Sequence, residues 1–120
     1  MLNNFCVNLT RPTDDPDRAT VAMVVANAAV ASGKQTMVFL SSEGVHLASK
    51  GTAEKINEEG FQSMSTLLQN FLAAGGALWV CSPCFKKRGY IESNLIEGAT
   101  IVGGAKLVEF LFNDGTSVSY

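Results

Sequence analysis

Residues 75–89 read GGALWVCSPCFKKRG. Two glycines are followed by a β-prone apolar run, Ala77–Cys81, which leads straight into a Cys-x-x-Cys motif and then three cations. A run of this length and composition, bounded by turn residues, predicts a strand ending at Cys81. The chain beyond it opens a short helix. Cys81 is thereby expected at the carboxyl end of a central strand, where open parallel sheets collect their functional residues.

Working outward, the same alternation recurs. Upstream, Phe61, Met64, Leu67, Leu68, Phe71 and Leu72 fall on one helical stripe, ended by Gly75-Gly76. Before that stripe, GTAEKINEEG (51–60) is polar and acidic and reads as a mobile surface loop. QTMVFLS (35–41) predicts a strand, followed by SEGVHLASKG, a short helix closed by Gly51. At the N-terminal end, NFCVNL (4–9) reads as a strand ended by TRPTDDP. There Asp15 is placed to cap a helix, with Pro16 at its first position and Asp17 in its positive first turn. That helix is apolar on more than one face, which predicts cover from the sheet and from a further element or subunit. Gly33 supplies its stop. Downstream come a strand TIVG, a helix AKLVEFLFND and a last strand TSVSY. Strands alternating with helices predict one three-layer α/β domain over residues 1–120, with a mainly parallel five-stranded sheet.

The chain has 120 residues, 47% hydrophobic and 17% charged, the profile of a globular chain large enough to bury a core. Its net charge of -2 argues against nucleic-acid binding. No signal peptide is read at MLNNFCVNLTRP. The longest apolar stretch, 19–31, is interrupted by Thr20 and Asn27 and is shorter than the roughly 20 residues of a membrane span. Three cysteines, an odd number, do not make a secreted disulfide framework. A cytoplasmic protein with reduced thiols is expected, a setting in which Cys-x-x-Cys is catalytic or metal-binding more often than structural.

Free helix N–H groups with Lys86, Lys87 and Arg88 are expected to favour the Cys81 thiolate, the nucleophilic form. Burial as a small apolar residue is the alternative for Cys81. Cys84 reads as a resolving partner, a packing residue or a second ligand. A thioredoxin-like fold is disfavoured: the motif lies late in the chain, and after Pro12, Pro16 and Pro83 no downstream proline remains to face it. A structural zinc site needs four ligands, and beyond this pair only Cys6, expected to be buried mid-strand, and His46 remain as soft donors. His46 and Arg11 are secondary candidates for the thiol's surroundings, His46 as a proton-transfer or anion-binding group. Arg11 enters through a flavodoxin-like order that puts the first strand beside the third. Glu43, Glu54, Glu58 and Glu59 show no paired spacing and read as solvated surface. The pair Gly103-Gly104 lacks the remainder of any phosphate-loop pattern. No cofactor and no metal are expected.

Across nearly its whole length the chain resembles the DsrE/DsrF-like family, which includes sulfur-relay subunits and small proteins labelled peroxiredoxins. TRPTDDPDRATVAMVVANAAVASG, MVFLSSEGVHLASKG, GGALWVCSPCFKKRGY and IEGATIVGGAKLVEF carry the resemblance. Its most specific element is a cysteine after the third strand followed by Arg and Gly seven and eight residues on, here Cys81, Arg88 and Gly89. The resemblance implies a flavodoxin-like, DsrE-like topology and a persulfide carried on Cys81. It also implies partner proteins with reactive thiols as sulfur donor and acceptor, and a homotrimer or homohexamer. Relay subunits typically have a small apolar residue where this chain has Cys84. That leaves a thiol–disulfide or peroxide-handling oxidoreductase, and an oligomeric binding protein with inert cysteines, as the other readings.

Overall fold

The computed structural model describes residues 3–11 and 13–120; Pro12 lies outside them. Five strands form one sheet: β1 (Asn4–Leu9), β2 (Gln35–Leu40), β3 (Ala77–Cys81), β4 (Ala99–Val102) and β5 (Thr116–Ser119). The helices are α1 (Pro16–Ala31), α2 (Met64–Ala73), α3 (Ser82–Lys87) and α4 (Gly104–Phe112). A 3₁₀ segment, Ser42–Ala48, follows β2, and shorter 3₁₀ turns occupy Ala53–Lys55 and Glu92–Asn94.

All strand pairs are parallel, in the order β4-β3-β2-β1-β5. The five-stranded α/β architecture agrees with the sequence pattern, but the expected adjacency of β1 and β3 does not hold, because β2 lies between them. The first three crossovers each step one strand in the same direction. The connection through α4 then crosses the other face and sets β5 beside β1. The chain therefore leaves β3 towards one face and β4 towards the opposite one. This makes the carboxyl ends of β3 and β4 the divergence point where such sheets bind or react. Cys81 pairs with Val102 at that point.

Strict alternation along the strands divides the core. Val7, Leu9, Val38, Leu40, Leu78 and Val80 face α1 and α2, meeting Ala19, Ala22, Met23, Ala26, Leu67 and Phe71. Cys6, Met37, Phe39 and Val102 face α4, whose Leu107, Phe110 and Leu111 cover them with Trp79. The small residues of α1 let it lie close to the sheet. The second cover expected for it is α2, tied to it by the Asn27 side-chain amide donating to Leu67 O at 3.1 Å.

The helix caps follow the sequence. Asp15 accepts from the Arg18 amide at 3.1 Å, and Gly33 ends α1 at φ +81°. Two expectations need correction. The second long helix begins at Met64, where Ser63 caps it by accepting from the Thr66 amide, so Phe61 lies outside the helix and is 43% exposed. A serine cap competes successfully with the hydrophobic stripe because it satisfies an otherwise orphaned helix N–H. The polar stretch 51–60 is anchored: it contains a 3₁₀ turn and buries Ala53 and Ile56. Ile56 O accepts from the Met64 amide. Its charges are solvated, but its two apolar residues are core.

Candidate functional site: a half-buried dithiol at the divergence point of the sheet

Cys81 is both the last residue of β3 and the N-cap of α3, with φ -61° and ψ 116°. Cys84 follows at the third position of the helix, and both thiols are free and half-buried. This spacing brings N-cap and third helical residue within the separation that a disulfide spans. Phe85 is the one buried residue of α3 and fastens it to the core on the α1/α2 side. Arg88 closes the helix and Gly89 takes φ +78°, a left-handed conformation that suits glycine. The reversal sends Tyr90 back to stack on Phe85, with ring centroids 4.9 Å apart.

The Cys81 thiol is raised above its ordinary value, contrary to the sequence expectation of a depressed one. Burial is the largest cause, followed by the hydrogen bond with the Cys84 side chain; the Cys84 amide and the Arg88 charge act in the opposite sense but do not prevail. The cations fail to activate the thiol for a positional reason. Lys86 and Lys87 are exposed in the last turn of α3, where positive charge favours the helix C-terminus, at the far end from Cys81.

Arg88 is committed elsewhere. Its Nε donates to Glu43 Oε2 at 2.6 Å and its Nη1 to the Cys84 carbonyl at 3.0 Å. Glu43 Oε2 also meets His46 Nε2 at 3.1 Å, and His46 Nδ1 meets the Tyr90 hydroxyl at 2.6 Å. Glu43 is thus not the free surface carboxylate the sequence suggested. The Arg88 guanidinium and His46 hold its carboxyl below the usual range. Two backbone bonds add to this junction: Lys50 N donates to Asn94 O and Ile96 N to Ala48 O, both at 2.8 Å. Gly44 is required here because any side chain would collide with the Leu9 carbonyl.

Of the residues singled out from sequence, Cys81, Cys84, Arg88, Gly89 and His46 meet at this junction. Lys86 and Lys87 flank it on the exposed rim. Arg11 does not join it: it is exposed beyond the end of β1, and β2 separates that strand from β3 by roughly two strand spacings of about 4.8 Å each. Cys6 is fully buried under α4, and burial pushes its thiol up to about 11. Among the described residues no three His, Cys, Asp or Glu side chains come together as a metal-holding group. Sequence reasoning missed Glu43 and Tyr90. The Glu43-x-x-His46 spacing was visible, but nothing in it names Arg88 as the partner. Beside α3 a groove of about 530 Å³ is lined by Ser82, Phe85, Lys86, Tyr90, Ile91 and Ile101, with Glu92 at its rim.

The DsrE/DsrF-like family model matches residues 3–118. The chain belongs to the DsrE/DsrF-like family. Among curated relatives it is 31% identical over 116 residues to the uncharacterized protein MJ0989 of Methanocaldococcus jannaschii, covering 97% of this chain and 98% of that protein. It is also 28% identical over 107 residues to the uncharacterized protein MJ0760 of the same organism, covering 89% of this chain but only 38% of that protein's length. The fold matches the crystal structure of the YchN protein from E. coli with a TM-score of 0.80 at 20% identity, over the full length of both chains. It also matches MTH1491, a protein of unknown function from Methanobacterium thermoautotrophicum, with a TM-score of 0.78 at 16% identity, over 98% of this chain and 99% of that one. These likenesses establish the DsrE-like fold of the family. No helix among the described residues is long and apolar enough to cross a membrane.

Proposed function

We propose that this DsrE/DsrF-like protein is a cytoplasmic sulfur carrier that holds sulfane sulfur as a persulfide on Cys81. The observation that carries the reading is the position of Cys81: a half-buried thiol at the divergence of β3 and β4, on the N-cap of α3. In the first step Cys81 loses its proton and its sulfur attacks the outer sulfur of a donor persulfide, R–S–SH. The donor S–S bond breaks, a Cys81–S–SH persulfide forms, and the departing R–S⁻ takes up a proton. The exchange leaves no net charge behind. That suits a thiol whose charged form burial disfavours. An acceptor thiolate then attacks the terminal sulfur and regenerates Cys81. Attack by Cys84 on the Cys81 sulfur would instead expel HS⁻ and close a disulfide.

The donor and acceptor are read as proteins with reactive thiols. A homotrimer or homohexamer is the assembly we expect, and Val108 and Phe112, 53% and 84% exposed on α4, are apolar surface that such an assembly would bury. A second reading, dithiol–disulfide exchange, is favoured by one observation, two free half-buried thiols at the N-cap and third position of the same short helix.

Intact-mass spectrometry after incubation with inorganic polysulfide separates the two. The carrier reading expects the mass of added sulfur on the protein, abolished in Cys81→Ser and longer-lived in Cys84→Ser. Loss of two hydrogens in the parent together with no sulfur adduct in Cys84→Ser would favour the dithiol reading. An adduct unchanged by Cys81→Ser would remove Cys81 from the chemistry.

A further inference from the structure

We propose that Glu43, held by His46 and Tyr90, is a positioning residue that sets the acidity of Cys81 by engaging Arg88. The proposal rests on Cys81 being the reacting sulfur. Its basis is a continuous chain of contacts joining the 3₁₀ segment after β2 to the cysteine helix. The Tyr90 hydroxyl meets His46 Nδ1, His46 Nε2 meets Glu43 Oε2, and the same carboxylate oxygen accepts from Arg88 Nε. Arg88 Nη1 then reaches the carbonyl of Cys84. A neutral His46 with its proton on Nε2 satisfies both neighbours, donating to the carboxylate and accepting from the phenol. Tyr90 is itself fixed by its stack on buried Phe85 and by an edge contact with His46.

This arrangement has an electrostatic consequence. The Arg88 side chain is only 19% exposed and reaches back to the Cys84 carbonyl, whereas Lys86 and Lys87 of the cysteine helix are exposed. A guanidinium paired at 2.6 Å with a carboxylate presents close to a dipole rather than a full charge to a thiol nearby. Glu43 thereby withholds from Cys81 most of the stabilisation that Arg88 would give a thiolate. The titratable and charged groups around Cys81 are few. Cys84, Lys86 and Lys87 lie on α3, Arg88 is its C-cap and Tyr90 follows, Glu43 and His46 lie on the Ser42–Ala48 segment, and Lys106 on α4 sits 5.9 Å from the Trp79 ring. The flanking strands β2 and β4 bring none. Among the described residues Glu43 is therefore the one carboxylate in direct contact with Arg88. A partner or donor that drew the carboxylate away would release the Arg88 charge and sharpen the thiol at that moment.

The test is the pH profile of Cys81 alkylation by iodoacetamide in the intact protein, in a Cys84→Ser background so that one thiol of the pair reports. Glu43→Gln keeps an acceptor for Arg88 but removes the charge. It should move the midpoint to lower pH and raise the rate at pH 7 by about two- to threefold, with the limiting rate at high pH unchanged. Arg88→Gln should move the midpoint the opposite way. The gap between Glu43→Gln and its parent should narrow in high salt, as a charge effect does. A packing role would raise the limiting rate and leave the midpoint where it was. Superimposable midpoints for parent and Glu43→Gln, or shifts of the same sign in Glu43→Gln and Arg88→Gln, would overturn the proposal. Alkylation needs no sulfur donor, so a shifted profile without persulfide uptake would sink the carrier reading and leave this one standing.

Discussion

Cys6 in the middle of β1 and Cys81 at the carboxyl end of β3 both pack against the α4-side cluster of one parallel sheet, Cys81 touching the α1/α2-side core as well, and neither is in a disulfide. Cys6 is sealed under Leu107, Phe110 and Leu111, and burial alone pushes its thiol up to about 11. Cys81 is also raised by burial, but it stands where the strand gives way to α3, half-buried, with a second sulfur and a guanidinium network beside it. The difference between an inert and an addressable thiol here is distance along a strand. In the middle of a strand every neighbour is another strand or the covering helix. At the end the chain opens, and polar groups from other elements can reach the sulfur.

Alkylation of the native protein at pH 8 is the most direct way to break this comparison. Cys6 should react far more slowly than Cys81, because burial pushes its thiol up to about 11 and leaves its sulfur no access to the reagent. Peptide mapping after timed quenching reads both sites in one sample. Comparable labelling of the two would mean that the α4 face opens readily, and the contrast between mid-strand and strand end would fail.

The second test acts on what keeps the strand end ordered. Phe85 is the only buried residue of α3 and carries the Tyr90 stack. Phe85→Ala should destabilise the protein by about 3–5 kcal/mol, measured as a fall in the urea midpoint. Cys84 and Cys81 should label faster well below that midpoint, while Cys6 should wait for global unfolding. If all three cysteines respond together, α3 is no separate local unit.

How far these features were legible in sequence follows the range of the interactions involved. The strands and the α1 cap are local, so NFCVNL, QTMVFL, ALWVC and the Asp15-Pro16 pair announced themselves. The placement of Cys81 at a strand end followed from the same local reading. Strand order is not local: nothing in the spacing of β1 and β3 says that β2 lies between them, and Arg11 was drawn towards the thiol by that error. The acidity of Cys81 was misjudged for a related reason. Lys86-Lys87-Arg88 is one run in sequence, yet helical geometry leaves the lysines on the rim and turns the arginine inward to a carboxylate 45 residues away. Glu43 and Tyr90 carry no pattern of their own. They matter only because the chain folds the 3₁₀ segment against α3.

The smallest effect expected is also the one that isolates the Glu43 contact from packing. The Arg88 guanidinium, then His46, lower the Glu43 carboxyl in the folded protein. A carboxyl that is more acidic folded than unfolded stabilises the native state above its unfolded value, near the usual range for glutamate, and that contribution disappears as pH falls through the folded value. Stability of the parent protein should therefore exceed that of Glu43→Gln at pH 7, and the two should converge in acid. Because the Glu43 side chain is 53% exposed, the gap should be small, as for other solvent-screened pairs, and should shrink with added salt. Urea midpoints at several pH values from 7 down to 3 measure it. A gap that persisted unchanged at pH 3 would mean that the glutamine disturbs packing rather than charge. The carboxylate would then lose its claim to hold Arg88, and with it the cysteine helix would lose the feature that most separates it from the sealed middle of β1.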